Sequence, residues 1–212
     1  EKVAGFRNQR LISPARAVPR GKQVYPLPER FRELGSTRFS FDGRELTIDD
    51  YFTRYNTTGL LLIKDGVLVY ERYGLGNDRE TRWNSFSVTK SITSMLLGAA
   101  IRDGDIGHVD EPVTDYLPQL QGSAYDGVTI RHLLTMTSGV DWDENYADPE
   151  SDINTVQWPP QLLYKHLRSS TRSAAPGTVF KYSTAETQLV GDLVRSATGS
   201  NLSTYLSNKI WR

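Results

Sequence analysis

The fold is decided by the stretch Ser85-Phe86-Ser87-Val88-Thr89-Lys90-Ser91-Ile92-Thr93-Ser94-Met95-Leu96-Leu97-Gly98. Its apolar residues recur at helical spacing, at Val88, Ile92, Met95, Leu96 and Ala99. Asn84 and Ser85 are the expected N-cap residues, and a turn after Gly104 is expected to close the helix. The residues between the apolar positions are small, and a helix without bulky polar groups around its surface is typical of a protein interior. The sequence therefore predicts a buried central helix.

The first turn of this helix carries a candidate nucleophile and a candidate base. Ser87 and Lys90 are three residues apart, so they share one face of a helix. A serine hydroxyl is a weak nucleophile until a neighbour takes its proton, and a lysine does so when its surroundings favour the neutral amine. The N-terminus of a helix adds backbone N–H groups and a dipole that favour a developing oxyanion.

A plainer interpretation is that Ser87 caps the helix and Lys90 is an ordinary surface side chain. A serine three residues before a lysine is a common coincidence, so the spacing alone is a weak signal. The context favours catalysis, because Lys90 lies on a helix with almost no other charge before Arg102. We therefore expect both residues to be catalytic.

The composition bounds the class of protein. The chain has 212 residues, with 25 basic and 25 acidic side chains, so no excess of positive charge indicates a nucleic-acid or membrane-surface partner. Cysteine is absent and the three histidines are scattered, which argues against a disulfide framework, thiolate chemistry or a metal site. No apolar run is long enough for a membrane span, and no motif indicates a cofactor. The partner expected is a small-molecule substrate.

The first half of the chain contains the clearest strands. Residues 1–35, rich in Arg, Pro and Gly, are expected to form an extended arm, part of it disordered. Asp42-Gly43 predicts a turn between small strands, and a short helix follows from Asp49. Gly59–Ile63 and Val67–Tyr73 predict a hairpin whose first strand, apolar throughout, is expected to be covered on both faces. A hairpin alone is not stable, so the predicted sheet lacks strands.

The second half is predicted to consist of helices and long loops. Residues 140–160 form an acidic loop with Trp142, Tyr146 and Trp158, which either borders a site or decorates the surface. Tyr182 precedes a helix capped by Ser183 or Thr184 that stops at Gly199. The remaining predicted helices begin near Val113, Thr129, Pro160 and Ser200 or Asn201, and the one from Thr129 is expected to stop at Gly139.

Taken together, these motifs resemble the serine β-lactamase and penicillin-binding-protein superfamily. The resemblance rests on Ser87-Val-Thr-Lys90, on Tyr182-Ser183-Thr184, on His132-Leu-Leu-Thr-Met-Thr-Ser-Gly139 and on the hairpin. Within the superfamily the chain is most similar to class C β-lactamase-like esterases and the 6-aminohexanoate-dimer hydrolase type. The resemblance implies an α/β (α+β) fold in which an antiparallel sheet is flanked by helices, beside a mostly helical domain. The expected domain division is an extended arm over 1–35, the first part of the α/β domain with the nucleophile helix over 36–104, a mostly helical domain over 105–184, and helices that return to the α/β domain over 185–212.

The resemblance also implies roles for individual residues. Ser87 would be the acylated nucleophile, Lys90 its base partner and Tyr182 the phenol that shuttles protons with Lys90. Tyr146, in a segment similar to the pocket loop of nylon-oligomer hydrolases, and Thr184 are the expected substrate-binding residues. Thr184 stands where lactam-hydrolysing members have asparagine, which favours ester or small-amide hydrolysis over β-lactamase activity.

The family's Lys-Thr-Gly-like strand, which supplies the second oxyanion donor, is absent from these 212 residues. We therefore expect a C-terminal segment or a second chain to supply it. The function expected is that of a serine hydrolase acting through an acyl-enzyme. The alternatives are a β-lactamase or D,D-peptidase and, in a different class, a non-catalytic binding protein that kept the fold.

Overall fold

The structure, a computed structural model, describes residues 2–156 and 160–212. Trp158, one of the aromatic residues of the predicted acidic loop, lies outside the described residues. By contact density the chain divides into two compact units, Glu1–Ala15 with Lys22–Ser85 and Arg16–Gly21 with Phe86–Arg212. The domain boundaries expected from the sequence stay predictions.

The first unit contains two β-hairpins. Strands β1 (Arg38–Phe41) and β2 (Arg44–Thr47) pair antiparallel, as do β3 (Gly59–Lys64) and β4 (Val67–Tyr73). Each hairpin turns on an Asp-Gly pair in which both residues have positive φ, 54° and 68° in the first turn and 53° and 74° in the second. That geometry defines a type I′ turn, which matches the right-handed twist of paired strands. The sequence predictions of both turns are confirmed.

Two helices complete this unit. Helix α2 (Ile48–Tyr55) begins at a capping box in which Thr47 and Asp50 exchange hydrogen bonds. Helix α1 (Lys2–Ile12) lies in the segment predicted to be an extended arm, so that prediction is wrong for these residues. Its side chains include no buried residue, which explains why no apolar pattern marked it. Further along the arm, Leu68 N–H donates to the Pro28 carbonyl at 2.8 Å and Arg30 N–H to that of Leu68 at 2.9 Å, so this part does run extended along β4.

Strand β3 differs from its prediction. Leu61 and Ile63 are 48% and 56% exposed, although an apolar run of this kind was expected to be covered on both faces. Further strands would extend a sheet at its edges and would not cover its faces, so the exposure shows that no layer among the described residues packs over these side chains. The shortage of strands expected from the sequence is found among the described residues, where β3 and β4 form a two-stranded sheet.

The second unit is built on helix α3 (Val88–Asp103) packed against α8 (Thr184–Thr198). The other helices of this unit are α4 (Val113–Tyr116), a 3₁₀ turn (Pro118–Leu120), α5 (Ile130–Leu134), α6 (Asp152–Thr155), α7 (Pro160–Ser169) and α9 (Leu202–Lys209). The core between α3 and α8 is aliphatic and consists chiefly of Leu96, Leu97, Ala99, Ala100, Leu189, Val190, Leu193 and Val194. Removing these side chains from water is the main favourable contribution to the stability of the unit.

Helix α3 starts later, and is less buried, than the sequence predicted. Its N-cap position is Ser87 rather than Asn84 or Ser85, and it closes as expected at Gly104, which has a φ of 85°. Only the face toward α8 is buried, whereas Val88 and Met95 on another side of the helix are 65% and 52% exposed. Small residues between apolar ones indicate burial all round, but α8 and α9 pack against only part of the surface of α3.

The segment after α5 also departs from the prediction. Helix α5 ends at Leu134, with Thr135 as its C-cap, and not at Gly139. Gly139 instead has a φ of 75°, and a Cβ there would overlap the carbonyl oxygen of Ala174. Ser173 N–H donates to the Gly139 carbonyl at 2.9 Å and Lys181 N–H to that of Met136 at 2.9 Å. These contacts hold the segment that precedes Tyr182 against the loop after α5.

Candidate active site

Ser87, Lys90 and Tyr182 meet at the N-terminus of α3. Lys90 Nζ donates a hydrogen bond to Ser87 Oγ at 3.1 Å, and Tyr182 Oη donates to the same oxygen at 2.9 Å. The Lys90 ammonium also lies 5.2 Å from the centroid of the Tyr182 ring. The three residues expected to be catalytic therefore form one connected group, with the serine oxygen at its centre.

Local backbone geometry presents Ser87 to this group. Ser87 occupies the N-cap position of α3 but makes no capping hydrogen bond with its side chain, so the plainer interpretation of Ser87 as a cap does not hold. Phe86, directly before it, has a φ of 45°, which is unusual for a bulky residue. Backbone in sparsely populated regions of this kind clusters at functional sites. Nothing in the sequence signals this conformation, because aromatic residues do not favour a positive φ.

Tyr182 is placed by the start of α8. It lies in an extended segment, and the next residue, Ser183, is the N-cap, whose side chain accepts a hydrogen bond from Glu186 N–H at 3.4 Å. Of the two caps left open by the sequence, the structure uses Ser183. A side chain directly before a helix cap is held at a defined position relative to the helix axis, which suits a phenol that must meet Ser87.

The two residues expected to bind substrate are joined by a third, Glu144, that no sequence motif indicates. Tyr146 Oη donates to Glu144 Oε1 at 2.7 Å, and Thr184 Oγ1 donates to the same oxygen at 2.5 Å. The Tyr146 ring is exposed, whereas the Thr184 hydroxyl is engaged with the carboxylate. Partial burial and the hydrogen bond to Glu144 raise the pKa of Tyr146, with a smaller contribution from Tyr182. Glu144 had no signal beyond its place between two aromatic residues.

Glu186, in the first turn of α8, is a second ionisable residue that the sequence did not single out. Its side chain is 3% exposed, Ser138 Oγ donates to Oε1, and Oε2 has no hydrogen-bond partner among the described residues. Burial raises the pKa of this carboxyl to about 7, and the hydrogen bonds from Ser138 only partly oppose that rise.

Two depressions border the group. An open cavity of about 400 Å³ adjoins Tyr182, and its lining is mostly acidic: Asp141, Trp142, Asp143, Glu144, Asp152, Lys181 and Tyr182. A groove of about 280 Å³ between α3 and α8 adjoins Lys90 and Thr184. Ser87 itself is exposed, so the candidate nucleophile is accessible from solvent. Among the described residues, no helix is long and apolar enough to cross a membrane.

The geometry of the site is a helix that begins at Ser87, with Lys90 and Tyr182 both donating hydrogen bonds to the serine oxygen. Comparison with known proteins gives the family. The Beta-lactamase family model matches residues 47–212, so the chain belongs to the Beta-lactamase family. Among curated proteins it is 30% identical over 165 residues to the 6-aminohexanoate-dimer hydrolase of Paenarthrobacter ureafaciens, covering 73% of this chain and 42% of that protein. It is 29% identical over 199 residues to esterase EstB of Burkholderia gladioli, covering 80% of this chain and 50% of the esterase.

Solved structures agree on the fold. A Bacillus anthracis protein provisionally assigned as a 6-aminohexanoate-dimer hydrolase superposes with a TM-score of 0.86 at 19% identity, covering 98% of this chain and 58% of that one. The β-lactamase/transpeptidase-like fold and the family resemblance predicted from the sequence are confirmed. The chain spans half or less of the length of the 6-aminohexanoate-dimer hydrolase and of esterase EstB.

Proposed function

We propose that this protein is a serine hydrolase that cleaves an ester or amide bond of a small substrate through an acyl-enzyme. The observation that carries the proposal is the pair of hydrogen bonds received by Ser87 Oγ, from Lys90 at 3.1 Å and from Tyr182 at 2.9 Å. Two donors on one hydroxyl stabilise the negative charge that the oxygen acquires when it loses its proton.

In the proposed first step, Ser87 Oγ attacks the carbonyl carbon of the substrate. For its proton to leave, either Lys90 or Tyr182 must first be deprotonated, since both act as donors in the arrangement described. The proton is accepted by that group and passed to the oxygen or nitrogen of the leaving group as its bond to carbon breaks. Water then attacks the acyl-enzyme, the same pair moves its proton back to Ser87 Oγ, and the acid is released.

The negative oxygen of the tetrahedral intermediate needs two donors. We assign one to the backbone N–H of Ser87 at the start of α3, and the second to a strand supplied by further sequence or by a second chain. Removal of one oxyanion donor lowers the rate by roughly 10²- to 10³-fold, so we expect each of the two donors to contribute a factor of this size.

The substrate class follows from the relatives and from Thr184. One curated relative is named for an amide substrate and another as an esterase, and the exposed Tyr146 ring beside the site is the proposed substrate contact. A β-lactamase or D,D-peptidase is the second candidate, favoured by membership of the Beta-lactamase family. Against it, Thr184 donates its one hydroxyl proton to Glu144, so it cannot replace the donor of an asparagine amide on a lactam without breaking that bond.

The test is intact mass spectrometry of the full-length protein before and after treatment with a fluorophosphonate probe. We expect a single adduct, mapped to Ser87 and absent from Ser87→Ala, followed by turnover of short esters or amides. A penicillin adduct on Ser87 that persists for minutes would favour the β-lactamase or D,D-peptidase alternative. A folded full-length protein that takes up no probe would instead support a non-catalytic binding protein.

A further inference from the structure

The carboxylate of Glu144 collects hydrogen bonds from three residues on two sides of the site. Oε2 accepts from the backbone N–H of Thr184 at 2.9 Å and from the Trp142 indole N–H, while Oε1 accepts from the hydroxyls of Thr184 at 2.5 Å and Tyr146 at 2.7 Å. Four donors saturate the two oxygens of a carboxylate. The side chain is half-buried, so these bonds are only partly shared with solvent.

The surroundings keep this carboxylate charged. Burial raises the pKa of Glu144, but the hydrogen bonds from Thr184, Tyr146 and Trp142 outweigh burial and hold the pKa below its ordinary value. Hydrogen bonds to an ionised acceptor are shorter and stronger than those between neutral groups. The position of Glu144 at the first N–H of α8 adds the favourable end of the helix dipole.

The bonds of Glu144 connect the acidic loop to the catalytic group. Thr184 is the first residue of α8 and lies two residues after Tyr182, whereas Tyr146 belongs to the loop. A further hydrogen bond holds the residue before Glu144, because Asp143 N–H donates to Asp152 Oδ2 at 2.8 Å. Glu144 is therefore bonded on one side to the start of α8, and on the other it accepts a hydrogen bond from the exposed phenol of Tyr146.

We propose that Glu144 is a positioning residue that fixes the Tyr146 hydroxyl beside the Ser87–Lys90–Tyr182 group by fastening it to the start of α8. This inference rests on the proposed function, in which Tyr146 contacts the substrate. A phenol on an exposed loop is otherwise free to rotate into solvent, and a displacement of about 1 Å in a substrate-positioning group lowers rates by about 10²-fold. Glu144 acts through Tyr146 and does not itself exchange a proton with the substrate.

The test is a double-mutant cycle in the full-length protein, read as kcat/KM for a short ester or amide substrate. Glu144→Gln replaces one acceptor oxygen with an NH₂ group that faces other donors, and we expect a loss of about tenfold or more, in line with hydrogen bonds to charged groups. In a Tyr146→Phe background the same change should lower kcat/KM by about threefold or less. Such non-additivity is the signature of one residue acting through another, which general destabilisation does not produce.

Two variants keep the test decisive. Glu150→Gln, an exposed carboxylate of the same loop, is the matched control and should leave kcat/KM unchanged. If Glu144→Gln does not fold, Glu144→Asp retains the charge but retracts it by one methylene, and its loss should likewise shrink in the Tyr146→Phe background.

Failure of the inference is distinguishable from failure of the proposed function. A wild-type protein that is labelled at Ser87, with multiplicative losses in the cycle or with no loss from Glu144→Gln, overturns the positioning role alone. A wild-type protein that is not labelled overturns the proposed function, and the positioning role with it. Labelling at Ser87 together with non-additive losses supports both.

Discussion

The hydroxyl of Tyr182 lies 2.9 Å from that of Ser87, although the two residues are 95 positions apart in the chain. Lys90 reaches the same oxygen from one helical turn away. The periodicity of α3 brings Ser87 and Lys90 together, whereas the position of Tyr182 depends on the packing of α8 against α3. The site is assembled at the place where this unit has its largest helix–helix contact.

Replacing the phenol tests the long-range contact. Tyr182→Phe keeps the ring and removes the hydroxyl that donates to Ser87, so we expect labelling of Ser87 by a fluorophosphonate to slow by roughly 10²-fold, the size of a general acid–base contribution. The measurement is the rate of adduct formation followed by intact mass. Tyr25→Phe, at a highly exposed phenol, should label at the wild-type rate. Equal rates for Tyr182→Phe and wild type would leave Lys90 as the only proton acceptor.

A substitution of Lys90 separates its role as proton acceptor from the effect of its positive charge. Lys90→Arg preserves a cation three residues after Ser87, but a guanidinium does not deprotonate in proteins. We expect at least a 10²-fold loss of labelling rate with little change in the thermal unfolding midpoint. Lys64→Arg, at the end of β3, provides the control. A near-wild-type rate in Lys90→Arg would mean that this residue contributes its charge and is not the base.

Glu186 predicts an unusual dependence of stability on pH. Its pKa is raised from 4.5 to about 7 in the folded protein, so between these values the folded state binds more proton than the unfolded state. Stability therefore falls as pH rises through this window, and the full penalty, on the order of 3 kcal/mol, is present above pH 7. Glu186→Gln should be more stable than wild type at pH 8 and nearly equal to it near pH 4.5.

The measurement for Glu186 is urea unfolding at several pH values between 4.5 and 8.5. The difference in the free energy of unfolding between Glu186→Gln and wild type should grow with pH and level off above about 7. A constant difference across this range would show that Glu186 does not titrate with a raised pKa. Glu150→Gln, which removes an exposed carboxylate, should show no such trend.

Gly139 is expected to tolerate no side chain. Its φ of 75° is disfavoured for other residues, and an added Cβ would overlap the backbone of Ala174 rather than a movable side chain. Gly139→Ala should therefore lower the unfolding midpoint far more than Gly122→Ala, which has the same φ of 75° but open space around the added atom. The second variant should lose only the roughly 1 kcal/mol typical of left-handed strain. Equal losses would remove the steric argument.

The features predicted well from the sequence are those set by neighbouring residues. The Asp-Gly turns need only two residues with positive φ, and Ser87 and Lys90 share a face because helices repeat every 3.6 residues. The position of Tyr182 before a helix cap indicates a fixed phenol, whereas its role beside Ser87 follows only from the resemblance. Glu144 could not be found, because its bonds to Thr184 span 40 residues and arise only when the loop folds onto α8. Phe86 could not be found either, since its backbone contradicts the preference of its side chain.

The exposed leucines and isoleucine of β3 have a consequence for handling the protein. An apolar strand with an unpaired edge is a template on which a second molecule can add its own strand, and such edges lead to aggregation. Preparations limited to these 212 residues should therefore lose soluble material as the protein concentration rises. Expression trials should introduce Leu61→Lys, which adds an edge charge of the type that natural sheets use to prevent this association.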